Sequence, residues 1–309
     1  MLNEQIGVAR HCAVWGSPIG HSLSPVLHRA AYAALGLRDW SYDRREVDEA
    51  AFDAALAGLD RSWVGLSLTM PLKEVALRRA TVVTPVAAAT GAANTLVRDA
   101  DGTVGWTAHN TDVHGITMAL RNAGCDEPGD VLVVGSGATA RSALAAVTVA
   151  AAATGSEARV VLMVRDRVRP ETLDQAASAG LHVETVGMGE WAAAADVAAI
   201  VSTVPPESAP DLDRLPQARS GSRPPVVLDV VYGGGETPLQ RAARARGWAV
   251  AEGTDMLLHQ AGEQVRLMTG REAPLDAMAA ALRAALHTSA RSTGHTSGHL
   301  LPRERGSQR

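Results

Sequence analysis

The sequence contains little cysteine, few aromatic residues and no long apolar run, and each shortage excludes a class of protein. Its two cysteines form neither a disulfide framework nor a zinc-ligand pattern. Aromatic residues make up 3% of the chain and the net charge is −4, which argues against a base-stacking surface and against attraction to nucleic acid. No uncharged apolar run reaches the ~18 residues of a membrane span, and no basic segment leads into an apolar stretch at the N-terminus. We therefore expect a cytoplasmic protein without nucleic-acid or membrane partners.

Lysine is the scarcest of the basic residues, because Lys73 is the only lysine in the 309-residue chain. It lies in the stretch GLSLTMPLKE (residues 65–74), after an apolar run and a proline, where a strand is expected to end. An amine differs from a guanidinium in that it can lose its proton at moderate cost. Lys73 is therefore a candidate acid or base, although a solvated lysine beyond a strand gives the same pattern.

The first half of the chain alternates strand-like and helix-like segments. Predicted strands cover residues 11–17, 40–47 and 63–70. Predicted helices cover residues 25–37 and 49–59, and a further helix begins near Lys73. A hairpin is predicted over residues 92–109, with Asp101 and Gly102 in its turn. The order of strands and helices predicts an α/β fold with a parallel or mixed sheet.

A second unit of strands and helices begins near residue 113. Its predicted strands include residues 130–137, 158–166, 182–186, 197–204 and 224–232. The all-apolar run at 131–134 suits a strand that is covered on both faces. Predicted helices cover residues 113–124, 138–155, 256–270 and 275–286. Residues 288–309 are polar and rich in Gly, Ser and Arg, which predicts a disordered tail.

A dinucleotide site is predicted at VLVVGSGATARSA (residues 131–143), which has the order strand, G-x-G-x-x-A turn, helix. The glycines allow a tight turn and a close approach of the backbone, and the helix N-terminus suits a pyrophosphate. A glycine-rich turn without a ligand is the alternative. After the next strand, VRDRVR (164–169) has three arginines that can pair with the 2′-phosphate of NADP, and Asp166, which suits the ribose of NAD. The balance of charge favours NADP, and NAD stays open.

An anion site is suggested by the two serines before Pro25. Proline at the first helical position predicts Ser24 as the N-cap, and a helix N-terminus with free hydroxyls suits a carboxylate. A capping serine without a ligand is the alternative. Further on, Asp112 in HNTDVHG (109–115) is a candidate cap for the helix that follows. His109 and His114 have no carboxylate at metal-ligand spacing, so no metal site is predicted.

Six separated motifs resemble those of the shikimate dehydrogenase family. They are Ser-x-Ser-Pro near the N-terminus, TMPLK, GAANTL, NTD, the glycine-rich turn and GTDMLLHQAGEQ, and they follow the family's order between residues 12 and 286. The resemblance implies a substrate domain (1–112) completed by C-terminal helices (254–287), and an inserted Rossmann-type dinucleotide-binding domain (113–253). It also implies the reversible reduction of 3-dehydroshikimate to shikimate with NADPH, on the path to chorismate and the aromatic amino acids, by a monomer or a homodimer.

The resemblance implies roles for individual residues. Lys73 would be the catalytic acid–base group, with Asp112 as its partner. Ser22 and Ser24 would bind the substrate carboxylate. The substrate hydroxyls or the reacting oxygen would be bound by Thr69, Asn94, Asp112, Tyr232 and Gln260. The cofactor would be bound by Gly135, Ser136, Gly137, Ala138, Thr139, Arg165, Arg169, Val230 and Gly253, the last two near the nicotinamide.

The sequence departs from the family pattern at three places. Val164-Arg165-Asp166 stands where Asn-Arg-Thr is common, Ala138 replaces a glycine of the turn, and Pro85 replaces a frequent acidic residue. One alternative is therefore an NAD-dependent quinate/shikimate dehydrogenase in which Asp166 binds the ribose. Another is a catalytically silent relative that binds metabolites, although retention of both Lys73 and Asp112 argues against it.

Overall fold

A computed structural model describes residues 9–99, 105–126, 129–155, 157–217 and 223–293, and these residues contain two six-stranded sheets flanked by helices. The predicted α/β class is confirmed. Within the described residues, none of the helices combines the length and the apolar content needed to cross a bilayer.

The first sheet is mixed, one of the two forms that the sequence left open. Its strands are β1 (Arg10–Gly16), β2 (Trp40–Glu46), β3 (Trp63–Leu68), β4 (Val82–Val83), β5 (Thr95–Arg98) and β6 (Trp106–His109). They lie in the order β2-β1-β3-β5-β6-β4, with β1 parallel to β2 and β3, and β5 antiparallel to β3 and β6. The helices between them are α1 (Ser24–Ala34), α2 (Glu49–Ala57), α3 (Lys73–Arg79) and α4 (Pro85–Thr90).

The direction of β5 brings three distant segments to one edge of this sheet. Because β5 is antiparallel to both neighbours, its start lies beside the ends of β3 and β6, with Thr95 opposite both Ser67 and His109. The chain just before β5 carries Asn94, and the chain just after β3 carries Thr69. Residues far apart in the sequence therefore meet at this edge.

The second sheet is parallel throughout. Its strands are β7 (Val131–Val134), β8 (Arg159–Val164), β9 (His182–Gly187), β10 (Ala199–Ser202), β11 (Val226–Asp229) and β12 (Val250–Ala251), in the order β12-β11-β10-β7-β8-β9. The helices between its strands and before β7 are α5 (Asp112–Asn122), α6 (Ala138–Thr154), α7 (Pro170–Ser178) and α8 (Pro238–Ala245). This is the doubly wound order in which a dinucleotide binds at the carboxyl ends of the strands, where the order reverses between β7 and β10.

Two C-terminal helices, α9 (Gly253–Thr269) and α10 (Leu275–Thr293), pack back against the first sheet. Their Leu258, Val265 and Met278 share one apolar core with Val14 of β1 and Leu27 of α1. α9 also lies against α5, where a Cβ placed on Gly115 would come within 2.7 Å of a backbone oxygen of α9. The close approach of these helices therefore requires glycine at that position.

Two predictions about helix ends are wrong. Ser24 is the first residue of α1 rather than its N-cap, which is Leu23. The last helix runs on to Thr293, so residues 288–293 are helical rather than the start of a disordered tail. No glycine or proline interrupts those residues, and the first one is Gly294. The remainder of the predicted tail (294–309) and the predicted turn at Asp101 and Gly102 lie outside the described residues.

Candidate active site

Two cavities lie side by side and share part of their walls. The first has a volume of about 190 Å³ and the second about 820 Å³. Thr69, Lys73 and Thr139 line both of them. A small ligand in the first cavity and a larger ligand in the second would therefore meet beside the single lysine.

The first cavity brings together all the residues that the sequence assigned to the substrate. They are Ser22, Ser24, Thr69, Lys73, Asn94, Asp112, Tyr232 and Gln260. Val230 and Gly253, which the resemblance assigned to the nicotinamide end of the cofactor, also line this cavity and not the second one.

Lys73 and Asp112 form a largely buried ion pair at the centre of the site. Lys73 Nζ lies 2.6 Å from Asp112 Oδ2, and the two side chains are 15% and 7% exposed. The other carboxylate oxygen, Oδ1, accepts a hydrogen bond of 2.8 Å from Asn94 Nδ2. Asp112 therefore has an ammonium on one oxygen and an amide on the other, which fixes the plane of the carboxylate.

The orientation of the Asn94 amide follows from its other contacts. Its Oδ1 accepts hydrogen bonds of 2.8 Å from the backbone N–H of Thr111 and from the Thr95 hydroxyl. Since both of these partners donate, the NH₂ group must point the other way, towards Asp112 and Gln260.

Asp112 does not cap the helix that it begins. The N-cap of α5 is Thr111, which makes no side-chain cap, and the backbone N–H of Asp112 is bonded instead by Asn110 Oδ1 at 3.1 Å. The interpretation of Asp112 as a mere cap is therefore wrong. The Asp112 carboxylate is bonded by Lys73 and Asn94 instead.

The segment that carries Ser22 and Ser24 is held by a hydrogen bond from a buried histidine. Ser22 and Ser24 are both buried, and Ser24 N–H points at Ser22 Oγ at 3.4 Å. His28 Nδ1 donates to the Ser24 carbonyl at 3.0 Å, and the imidazole stacks on Tyr42 with ring centroids 3.9 Å apart. Burial lowers the pKa of His28 to about 4, so this histidine is neutral near pH 7. His28 therefore supports the serine segment as a neutral hydrogen-bond donor and adds no positive charge there.

Tyr232 lies in the wall of the first cavity, close to Ser22. Burial raises the pKa of its hydroxyl, the charge of Asp112 raises it further, and a hydrogen bond with Ser22 opposes the rise. The hydroxyl is therefore protonated near neutral pH and can donate a hydrogen bond into the cavity.

Sequence reasoning missed three polar residues in the wall of the first cavity, His21, Ser67 and Gln264, of which the last two are joined by a hydrogen bond. Tyr42 donates to Ser67 Oγ at 2.6 Å, Ser67 donates to Gln264 Oε1 at 2.8 Å, and Gln264 Nε2 donates to Thr95 Oγ1 at 3.0 Å. The signals were present in the sequence. Ser67 lies two residues before Thr69 in an extended segment, and Gln264 lies four residues after Gln260 in a helix, so each shares a face with a predicted residue.

The second cavity lies over the glycine-rich turn. The turn residues Gly135, Ser136, Gly137, Ala138 and Thr139 all line it. Gly135 has φ of +105°, and a Cβ there would come within 2.6 Å of Thr203 Oγ1, so this position requires glycine. A Cβ on Gly137 would meet no protein atom within 4 Å, and α6 begins next to it without a side-chain cap. The uncapped N–H groups and the open space above them fit the pyrophosphate of a dinucleotide.

The arginine segment lies at the far end of the same cavity. Arg165, Asp166, Arg167 and Arg169 line it and are exposed. Arg165 Nη2 donates to Ser208 Oγ at 3.0 Å. Within the described ranges, no salt bridge joins Asp166 to any of these arginines. The charges of this segment are therefore available to a ligand.

Comparison with known proteins identifies the family. Residues 14–96 match the model of the shikimate dehydrogenase substrate binding domain, and residues 253–283 match that of the shikimate 5′-dehydrogenase C-terminal domain. The shikimate dehydrogenase (NADP(+)) of Methanothrix thermoacetophila is 37% identical over 89% of this chain and 97% of its own length.

Solved structures agree with this match. A shikimate 5-dehydrogenase from Mycobacterium fortuitum is 40% identical, with a TM-score of 0.75 over 89% of this chain and 98% of that one. A shikimate 5-dehydrogenase from Thermus thermophilus, solved in complex with NADP(H) and shikimate, is 29% identical, with a TM-score of 0.72 over 89% of this chain and 99% of that one. The chain belongs to the shikimate dehydrogenase family.

Proposed function

We propose that this protein is an NADP-dependent shikimate dehydrogenase, which reversibly reduces 3-dehydroshikimate to shikimate on the path to chorismate and the aromatic amino acids. The observation that carries the proposal is the Lys73–Asp112 pair in a small polar cavity that adjoins a dinucleotide-sized one. The similarity to NADP-dependent relatives, and to a structure that holds NADP(H) and shikimate together, supports the same reaction.

The polar side chains of the first cavity match the groups of the substrate. Shikimate has one carboxylate and three hydroxyls on a ring. Ser22 and Ser24 supply hydroxyl donors for the carboxylate. The ring hydroxyls and the reacting oxygen take contacts from Thr69, Asn94, Asp112, Gln260 and the protonated Tyr232.

Lys73 carries the proton in the proposed reaction. A bound nicotinamide dinucleotide supplies or accepts the hydride. As the carbonyl carbon is reduced, negative charge grows on its oxygen, and the Lys73 ammonium gives that oxygen a proton. In the oxidation of shikimate, the Lys73 amine removes the hydroxyl proton. Asp112 holds Lys73 in place and orients the substrate hydroxyl, since its two oxygens are fixed by Lys73 and Asn94.

We assign the two sheets to the two ligands. Residues 1–112, with the C-terminal helices 254–287, bind the substrate, and residues 113–253 bind the dinucleotide through Gly135–Thr139, Arg165 and Arg169, with Val230 and Gly253 at the nicotinamide end. The protein acts as a monomer or a homodimer in this proposal. Both cysteines are free and buried, which fits a protein of the cytoplasm.

Oxidation of shikimate with each cofactor tests the function. We expect turnover with shikimate and NADP, and a lower kcat/KM when NAD replaces NADP or quinate replaces shikimate. A higher kcat/KM with NAD and quinate would make the protein a quinate/shikimate dehydrogenase instead. Binding of shikimate without turnover under any of these conditions would identify a catalytically silent relative.

The double variant Ser22→Ala, Ser24→Ala tests how the carboxylate is bound. Loss of hydrogen bonds to a charged group, about 1.5–3 kcal/mol each, is expected to raise KM for shikimate by about tenfold or more with a smaller change in kcat. The melting temperature is measured alongside. Should the variant melt earlier and keep its KM, the serines serve only the structure of the loop.

A further inference from the structure

The Lys73 ammonium has a second acceptor, on the cofactor side of the site. Lys73 Nζ lies 2.6 Å from Asp112 Oδ2 and 3.4 Å from Thr139 Oγ1. An ammonium carries three N–H donors. With two of them directed at Asp112 and Thr139, the third is the one left for the cavity that these residues line.

Thr139 lies at the boundary between the two cavities. It is one of three residues that line both. It belongs to the first turn of α6, whose N-terminus faces the second cavity. Its hydroxyl therefore joins the lysine to the helix that we propose holds the pyrophosphate.

The distance between Thr139 and Lys73 is set by a rigid junction next to them. Arg141, two residues after Thr139, is buried with a side chain that is 1% exposed, and its Nη2 donates to Glu74 Oε1 at 2.6 Å. Its Nε donates to the Thr90 carbonyl at 2.6 Å, in the last turn of α4. Because Glu74 follows Lys73 directly, the bond from Arg141 holds α6 against α3 beside the lysine.

We propose that Thr139 is a positioning residue for Lys73. By accepting one N–H from the ammonium, its hydroxyl restricts rotation of the lysine end and directs the remaining N–H at the reacting oxygen. This role rests on the proposed function and differs from the contact with the pyrophosphate that the family resemblance assigns to the same turn.

Kinetics of Thr139→Val and Thr139→Ser test the role. Valine keeps the branched shape and removes the hydroxyl, and serine keeps the hydroxyl. We expect Thr139→Val to lower kcat about threefold to tenfold, the range for losing one hydrogen bond, and Thr139→Ser to restore most of it. Thr148→Val is the matched control, since Thr148 lies on the same helix, is also half-buried, and its hydroxyl donates to the Leu144 carbonyl within that helix.

Two measurements separate positioning from cofactor binding. The Kd for NADP, from fluorescence titration, is expected to stay within about twofold of the wild-type value in Thr139→Val, because valine keeps the backbone N–H that the turn offers to the pyrophosphate. In a double-mutant cycle, Thr139→Val is expected to have no further effect on kcat once Lys73 is alanine. A weakened Kd with unchanged kcat, or an equal fall in kcat in both backgrounds, would overturn the proposal.

The single lysine allows a readout that needs no activity. Protein grown with lysine labelled by ¹³C at the ε carbon gives one lysine signal, because Lys73 is the only lysine. Relaxation of that signal reports how tightly the amine end is held. We expect greater mobility in Thr139→Val, recovery in Thr139→Ser and no change in Thr148→Val. Equal mobility in the wild type and the three variants contradicts the positioning role even if shikimate is the substrate. Greater mobility of the lysine in Thr139→Val supports the role even if shikimate is not the substrate.

Discussion

Lys73→Ala is expected to lower kcat for shikimate oxidation by about 10²–10⁴-fold, the range for removing an acid–base group. No other lysine exists in the chain to replace it. KM for shikimate should change less, because the carboxylate and ring hydroxyls are bound by other residues. Steady-state kinetics over a range of shikimate concentrations give both constants.

Lys73→Arg separates the effect of losing proton transfer from the effect of losing the positive charge. Arginine keeps a cation beside Asp112 but does not give up its proton at ordinary pH, so its kcat should fall as far as that of Lys73→Ala, with a smaller loss of stability. Alanine leaves a carboxylate that is 7% exposed without its ammonium, which is expected to lower the melting temperature. A kcat near the wild-type value in either variant would show that Lys73 takes no part in the chemistry.

The sequence predicted the candidate reacting residues because each lies near the end of a strand. Lys73 and Asp112 follow β3 and β6, and Asn94 precedes β5. Strand ends were visible as apolar runs that stop at polar or proline residues. What the sequence could not give was the pairing of β5 with β3, which brings Asn94 to the same edge, because the predicted hairpin sets the direction of β5 only relative to β6. That arrangement depends on pairings between residues far apart in the chain.

The supporting contacts were harder to predict than the reacting groups. Ser67 and Gln264 resemble ordinary polar residues of a strand and a helix, and only the packing of α9 on the first sheet brings their side chains within 2.8 Å. Likewise, nothing in the sequence shows that Arg141 is buried or that it pairs with Glu74. Buried polar networks are tertiary features, because their partners come from separate elements.

The sequence did not predict strands β4 and β12 or helices α4, α7 and α8. β4 and β12 have two residues each, too few to show alternation. α8 is different, since Thr237 and Gln240 form a capping box that was readable from the sequence as T-x-x-Q. The predicted end of α10 is too early because the polar composition of residues 288–293 indicates disorder, although these residues contain no helix breaker.

Arg165→Ala is expected to weaken NADP binding far more than NAD binding. Charge-assisted hydrogen bonds contribute about 1.5–3 kcal/mol each, which corresponds to a rise in the Kd for NADP of about 10- to 150-fold. Arg165 lies in the wall of the second cavity, and within the described part of the chain its guanidinium bonds the neutral Ser208 hydroxyl rather than a carboxylate, so its charge is available to a phosphate. Arg214→Ala serves as the control, because Arg214 is exposed and lies outside both cavities.

Asp166→Ala also decides between NADP and NAD, because it removes the acidic residue of the segment instead of an arginine. The Asp166 carboxylate is exposed beside three arginines and forms no salt bridge with them, so it is positioned to repel a 2′-phosphate or to bind the ribose hydroxyls of NAD. If the arginines dominate, removing Asp166 removes repulsion, and the Kd for NADP should fall or stay the same while NAD turnover remains low. Raised salt should weaken NADP more than NAD, since exposed charge pairs are screened. Should the wild type instead turn over faster with NAD, and should Asp166→Ala abolish that turnover, Asp166 binds the ribose and the protein is the NAD-dependent enzyme.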